Sequence, residues 1–100
     1  MPRKPREITR ILQSKFGFVP STRHDDHEWY ELQLPDLPLI ATKISFNKKD
    51  IRDALMARMA RQCRVRKPYF DAMLDCTNSS DDYYRQVREE PFPPWNQLIV

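Results

Sequence analysis

This chain of 100 residues contains a single glycine, Gly17, beside nine prolines. Phosphate-binding loops of the P-loop and dinucleotide-binding types need several glycines, because backbone N–H groups reach a phosphate only where side chains are absent. Neither motif is present in the sequence. The commonest classes of nucleotide-binding enzyme are therefore excluded.

Cysteine is also scarce, since only Cys63 and Cys76 occur and they form no C-x-x-C pair. No apolar run follows the basic N-terminus as in a signal peptide, and none has the roughly 20 residues that a membrane helix needs. We therefore expect a cytoplasmic protein with reduced thiols and no membrane partner. With 40% hydrophobic side chains, its 100 residues should form one domain with a real core.

Charge is plentiful but is unevenly distributed along the chain, whose formal net charge is only +3. Residues 25–42 carry five acidic side chains and no basic one, whereas residues 43–67 carry nine basic side chains and two acidic ones. Clustered Lys and Arg release counterions from a phosphate backbone, so the basic stretch indicates an anionic partner. A solvated charged face is the simpler explanation of the same pattern.

Two helices are predicted from the spacing of apolar residues. In the first, from about Pro5 to Phe16, apolar side chains recur at i, i+3, i+4 and i+8, and Gly17 suits a left-handed end. The second runs from about Lys48 to Val65, with Asn47 as its candidate N-cap.

Three short strands are predicted between these helices, at about Phe18–Thr22, Glu28–Leu34 and Leu39–Phe46. The second strand alternates apolar and polar side chains, which is typical of a strand with one buried face. Because the links between the three strands are short, we expect an antiparallel meander.

Beyond the second helix, further helical stretches are predicted at about Tyr69–Asp75 and from Ser80, before a proline-rich extended tail. The expected fold class is α+β, an α-β-β-β-α sandwich of the double-stranded-RNA-binding type with a three-stranded antiparallel sheet. Residues 1–67 should form the core of this fold. Residues 68–100 should form a C-terminal helical extension and tail packed on the same domain.

Several of these features resemble the HicA toxin family. A helix that ends at Gly17 is followed by Phe18 and Val19, and a short polar loop then ends in His27 at the start of the second strand. The region Asn47–Val65 is similar to the second helix of that family, so the resemblance covers about two-thirds of the chain. It implies a double-stranded-RNA-binding-like fold, an mRNA-cleaving activity that needs no cofactor, and a cognate antitoxin protein as partner.

The chain departs from the family pattern on both sides of the second strand. Asp25 and Asp26 stand where the family has glycine before its histidine, and Pro35-Asp36-Leu37-Pro38 replaces an Asp-Gly hairpin. The two carboxylates would either orient the His27 ring and raise its pKa or repel a phosphate.

His27 is the candidate catalytic residue on chemical grounds as well. RNA carries its own nucleophile, the 2′-hydroxyl, so cleavage needs a proton acceptor near neutral pH and cations around the phosphate. Histidine, with an ordinary pKa of about 6.5, is the side chain suited to that role. The basic residues predicted to bind RNA are Lys43, Lys48, Lys49, Arg52, Arg58, Arg61 and Arg64.

Two other pairs of residues have alternative interpretations. His24 and His27 form an H-x-x-H pattern, but it spans a predicted turn and no third ligand is evident, so no metal site is predicted. Trp29 and Tyr30 should point to opposite faces of their strand. One of them belongs to the core, and the other either packs beneath the C-terminal region or stacks on an RNA base.

The resemblance, together with His27, favours a metal-independent endoribonuclease of the toxin–antitoxin type, and the residues leave two alternatives open. One is a non-catalytic RNA- or DNA-binding module on the same fold, and the other is an adaptor that binds proteins. The acidic C-terminal third either folds back over the basic face, adds a strand to a sheet, or packs as a fixed part of the domain.

Overall fold

The first helix of the computed structural model, α1, spans Pro5–Phe16, as its sequence predicted. Gly17 ends it in the left-handed conformation, with φ 78°, and the Gly17 N–H donates to the carbonyl of Leu12. Glycine suits this position because it has no Cβ to clash. The structure describes residues 3–21, 28–44 and 50–97.

Three strands form an antiparallel sheet in the order β1-β2-β3, which confirms the predicted meander. They are β1, Val19–Pro20; β2, Glu28–Leu32; and β3, Ile40–Ile44. Side chains alternate across this sheet, so that alternate residues of β2 and β3 are buried beneath the helices.

The second helix, α2, spans Asp53–Gln62, so the predicted start at Lys48 is wrong. The physical reason is a long-range contact, because Ile51 exchanges two backbone hydrogen bonds with Arg3, at 2.6 and 3.0 Å. This pairing holds residue 51 in an extended conformation that a helix cannot include. Arg52 is the N-cap residue instead, and the candidate cap Asn47 lies outside the described residues.

Two further helices follow, α3 at Lys67–Leu74 and α4 at Ser80–Glu89, and both predicted helical stretches are confirmed. Ser79 and Asp82 form a capping box at the start of α4, in which each side chain bonds the backbone N–H of the other residue. Among the described residues, no helix combines the length and apolar character needed to span a bilayer.

The buried core contains side chains from all four helices and from β2 and β3, which confirms an α+β domain. Tyr83 of α4 is its largest fully buried side chain. The Tyr83 ring meets that of Phe16 edge-on and stacks on that of Phe18, at centroid distances of 5.6 and 6.2 Å. Helix α4 therefore packs directly against the end of α1.

An exposed ion pair joins the β2–β3 turn to α4. Arg88 donates from Nε and Nη2 to the two carboxylate oxygens of Asp36, at 2.7 and 2.8 Å. These hydrogen bonds hold the pKa of the Asp36 carboxyl below its ordinary value.

Replacing Asp36 with asparagine is expected to reduce the loss of stability in acid. The Asp36 carboxyl takes up its proton at a higher pH in the unfolded chain than in the folded chain. The contribution of the ion pair to stability is therefore fully present above about pH 4 and is lost as the pH falls through the folded pKa. The melting temperatures of wild type and variant, measured from neutral pH to pH 3, should converge at the acid end. Glu89→Gln removes another exposed carboxylate and serves as control. A difference that does not change with pH would contradict the expectation.

Candidate functional site

A polar cleft of about 420 Å³ lies between α1 and the start of β2. Its volume is within the range of small-molecule binding sites. The residues that line it come from one face of the helix and from two alternate positions of the strand. They are Arg6, Thr9, Arg10, Gln13, Glu28 and Tyr30.

The helix supplies the cations of this cleft from a single stripe. Arg6, Arg10 and Gln13 follow an i, i+4, i+7 spacing, so they share one face beside the buried stripe of α1. Sequence reasoning that follows only the apolar positions misses these residues, although the same spacing identifies them.

The strand side of the cleft contains a carboxylate with a fixed hydrogen-bond donor. The Tyr30 hydroxyl donates to Glu28 Oε2 at 3.2 Å. Burial, followed by the charge of Glu28, raises the pKa of Tyr30, so this hydroxyl stays protonated at neutral pH. The cleft therefore presents guanidinium groups that can bind a phosphate, and one carboxylate that can accept hydrogen bonds from a base.

The proposed catalytic residue, His27, directly precedes Glu28 in the sequence. His27, Lys48 and Lys49 all lie outside the described residues, as does His24. The predicted roles of His27, Lys48 and Lys49 in RNA cleavage and binding therefore stay predictions.

Lys43 lies on the sheet face that points away from the core. It pairs in register with Trp29, and its Nζ lies 5.8 Å from the centroid of the Trp29 ring. Tyr30 is the buried member of the Trp29–Tyr30 pair, with 6% of its surface exposed. Trp29 is half-buried and shares the outer face with Lys43.

The arginines in and beside α2 that were predicted to bind RNA fall into two groups, three that are exposed and one, Arg64, that the C-terminal residues contact. Arg52, Arg58 and Arg61 are exposed, and within the described ranges none of them has a carboxylate at salt-bridge distance. Arg58 and Arg61 are neighbours on one helix face because they are three residues apart. In the described part of the chain, ion pairs are seen at Arg3, Lys67, Arg85 and Arg88.

Arg64 is occupied by the C-terminal tail, which we define as residues 91–97. Its Nη1 donates to the carbonyls of Pro93, Pro94 and Gln97, at 2.9 to 3.0 Å. Its guanidinium also lies 4.7 Å from the centroid of the Trp95 ring, and burial lowers its pKa. A phosphate that bound Arg64 through Nη1 would have to displace these hydrogen bonds.

The tail folds back on the arginines through rings and carbonyl groups rather than through carboxylates. The guanidinium groups of Arg61 and Arg66 lie 5.5 and 4.1 Å from the centroid of the Phe92 ring. The Trp95 indole N–H donates to the carbonyl of Val87 at 2.8 Å, which fixes the tail to α4. Of the three roles considered for the C-terminal third, its described part shows packing on the domain.

In the part of the chain that the structure describes, no group of three or more His, Cys, Asp or Glu residues could hold a metal ion. Comparison of the chain with family models, with curated proteins and with solved structures gives no match.

Proposed function

We propose that this chain is an RNA-binding domain of the double-stranded-RNA-binding type that cleaves RNA without a metal, as HicA-like mRNA interferases do. The observation that carries this proposal is the cleft with Arg6 and Arg10, because one of its lining residues, Glu28, directly follows His27. A cognate antitoxin protein is the expected partner in that case.

The binding part of the proposal is supported by cations that no described carboxylate neutralises. Arg10 on α1, Arg52 at the N-cap of α2 and Arg58 on α2 have no salt-bridge partner among the described residues. A phosphate can pair with such groups without first breaking an ion pair, whereas at Lys67 it would have to compete with Asp71 at 2.9 Å.

The proposed cleavage uses the RNA's own hydroxyl group. His27 accepts the proton of a 2′-hydroxyl, whose oxygen attacks the adjacent phosphorus. The new O2′–P bond replaces the P–O5′ bond, leaving a 2′,3′-cyclic phosphate, and the departing 5′-oxygen takes a proton from water. Guanidinium groups of the cleft would stabilise the additional negative charge as the phosphorane forms.

Replacing Arg10 or Arg58 with alanine is expected to weaken RNA binding several-fold. Each variant should also reduce the slope of log affinity against log salt by about 0.7, because one phosphate contact to a single strand is lost. Fluorescence anisotropy with a fluorescein-labelled single-stranded RNA, between about 50 and 200 mM salt, measures both quantities. Arg85→Ala is the matched control, since it removes an arginine that Asp82 already pairs at 3.0 Å. An equal loss of RNA affinity in all three variants would show that RNA is attracted by the net charge of the domain and not bound by these particular arginines.

One observation favours a second function, binding of RNA or DNA without cleavage. The Glu28 carboxylate lies in the arginine-lined cleft and is held there by Tyr30. Its charge opposes the close approach of a phosphate to the cleft. This alternative predicts salt-sensitive binding with the RNA left intact on a gel.

A further inference from the structure

A second groove lies where α3 begins, α4 ends and the tail crosses between them. Its volume is about 460 Å³. The residues that line it are arginine, tyrosine and proline from α3 and its N-cap, polar residues from the end of α4, and the proline-rich part of the tail. They are Arg66, Pro68, Tyr69, Gln86, Glu90, Pro91, Phe92 and Pro94.

Two aromatic rings and one guanidinium plane line this groove. The rings of Tyr69 and Phe92 are both half-buried, which holds them in place and leaves part of each ring accessible. The exposed Arg66 guanidinium lies 4.1 Å from the centroid of the Phe92 ring. Bases of single-stranded RNA stack on aromatic rings and on guanidinium planes, and such stacking tolerates any base.

We propose that this groove binds one nucleotide of single-stranded RNA, with its base stacked on Tyr69 or on the Arg66–Phe92 pair. The inference rests on the proposed RNA-binding function and specifies the form of RNA that is bound. It also assigns a binding role to α3, α4 and the tail, which form no part of the HicA resemblance.

The charges around the groove match an anionic strand. Arg61 and Arg66 both approach the Phe92 ring, and Arg58 precedes Arg61 by one helical turn. These three exposed cations have no salt-bridge partner among the described residues. The carboxylates near the groove in that part of the chain are Glu90, which lines it, and Asp82, which acts on Tyr69 and is itself paired with Arg85 at 3.0 Å. Phosphates on either side of a stacked base would therefore lie near arginines.

Polar groups at the end of α4 suit the edge of a base. Gln86 has an amide oxygen and Glu90 has a carboxylate, and both are acceptors for the amino groups of a base. Gln86 Nε2 is already directed to the carbonyl of Glu90, at 3.4 Å. The available acceptors thus favour bases that carry an exocyclic amino group.

A proline-rich peptide is the competing occupant, because such peptides dock in aromatic-lined grooves. An extended peptide needs hydrogen-bond donors for its carbonyl groups. Pro68, Pro91 and Pro94 have no N–H to offer, but the Arg66 guanidinium, the Tyr69 hydroxyl and one N–H of the Gln86 amide are donors in this groove. Hydrogen bonding therefore serves either occupant, and the excess of exposed arginines over carboxylates around the groove is what favours RNA.

The test replaces Arg66 with lysine, which keeps the charge but loses the planar guanidinium. For a fluorescein-labelled single-stranded RNA of about ten nucleotides, we expect affinity to fall about fivefold or more, with the salt dependence unchanged. Binding of a blunt RNA duplex of the same sequence should not change. Arg85→Lys makes the same chemical change on the exposed side of α4 and should have no effect on either RNA.

A second variant, Phe92→Leu, removes the ring but keeps an apolar side chain, and should weaken single-strand binding by a similar factor. Thermal unfolding of each variant verifies that it is folded. If the wild type binds RNA and Arg66→Lys binds it equally well, or loses single-strand and duplex binding alike, the groove is not a stacking site. Loss of affinity for a proline-rich peptide probe alone would identify a peptide site instead. If the wild type binds no RNA at all, the proposed function itself fails.

Discussion

Replacing His27 with alanine is expected to lower the rate of RNA cleavage by about 100-fold or more while leaving RNA affinity nearly unchanged. The reason is that proton transfer from the 2′-hydroxyl loses its acceptor, whereas the cationic groups that bind the phosphates remain. Single-turnover cleavage of an end-labelled RNA on a denaturing gel measures the rate, and anisotropy measures the affinity. In cells, expression of the wild-type chain should arrest growth, and expression of the variant should not.

The sequence offers a matched control for this experiment. His24 is the other histidine of the chain and lies three residues before His27, so His24→Ala removes the same side chain from a neighbouring position. We expect His24→Ala to cleave RNA at the wild-type rate, and chelation of divalent metals to leave that rate unchanged. Cleavage by both variants at the wild-type rate would show that His27 takes no part in the mechanism. Loss of activity on chelation would contradict metal independence.

Replacing Tyr83 with alanine is expected to destabilise the domain by about 3–5 kcal/mol, which is the cost of removing a large aromatic side chain from a packed core. Tyr83 is fully buried, and its hydroxyl donates to the carbonyl of Cys63 at 2.9 Å. Because small domains are stable by only about 5–15 kcal/mol, a large part of the total would be lost. Urea unfolding followed by circular dichroism gives the change in free energy.

Tyr83→Phe removes the hydroxyl and keeps the ring, so it separates their contributions to the free energy of unfolding. It should cost about 1–3 kcal/mol, because the buried Cys63 carbonyl is left without its donor. Burial raises the pKa of Tyr83 well above its ordinary value, so the group is a neutral donor throughout the accessible pH range. Tyr84→Phe is the comparison, since its hydroxyl donates to the Phe16 carbonyl from a half-buried position and should matter less. A Tyr83→Phe variant as stable as wild type would show that the hydroxyl contributes nothing.

The parts of the fold that depend on local sequence were predictable. The span of α1 follows from its apolar spacing and from Gly17, and the capping residues of α4 are visible as Ser79 and Asp82. In each case the residues that determine the element lie within it or next to it.

The parts that depend on distant contacts were not predictable. The start of α2 is set by the pairing of Ile51 with Arg3, which no window of sequence around residue 50 reveals. The end of α2 is set at Arg64, which has φ 64° without being glycine or asparagine, so the usual residue signal for a left-handed end is missing.

The candidate site likewise combines features set by local sequence with features set by distant contacts. The stripe of Arg6, Arg10 and Gln13 could have been read from α1 alone, but the place where Glu28 and Tyr30 meet that stripe depends on how β2 packs. The role of Arg64 in binding the tail could not be read from sequence, because its three acceptors lie 29 to 33 residues further along the chain.

The outermost segments of the described chain both attach to the boundaries of α2. Arg3 pairs with Ile51 shortly before the helix, and the tail binds Arg64 shortly after it. The helix that bears Arg58 and Arg61 is thus clamped by the two segments that are most distant from each other in the sequence. A proteolytic nick or a substitution that breaks either contact would remove one of the two attachments of the arginine-bearing helix without altering any residue of it.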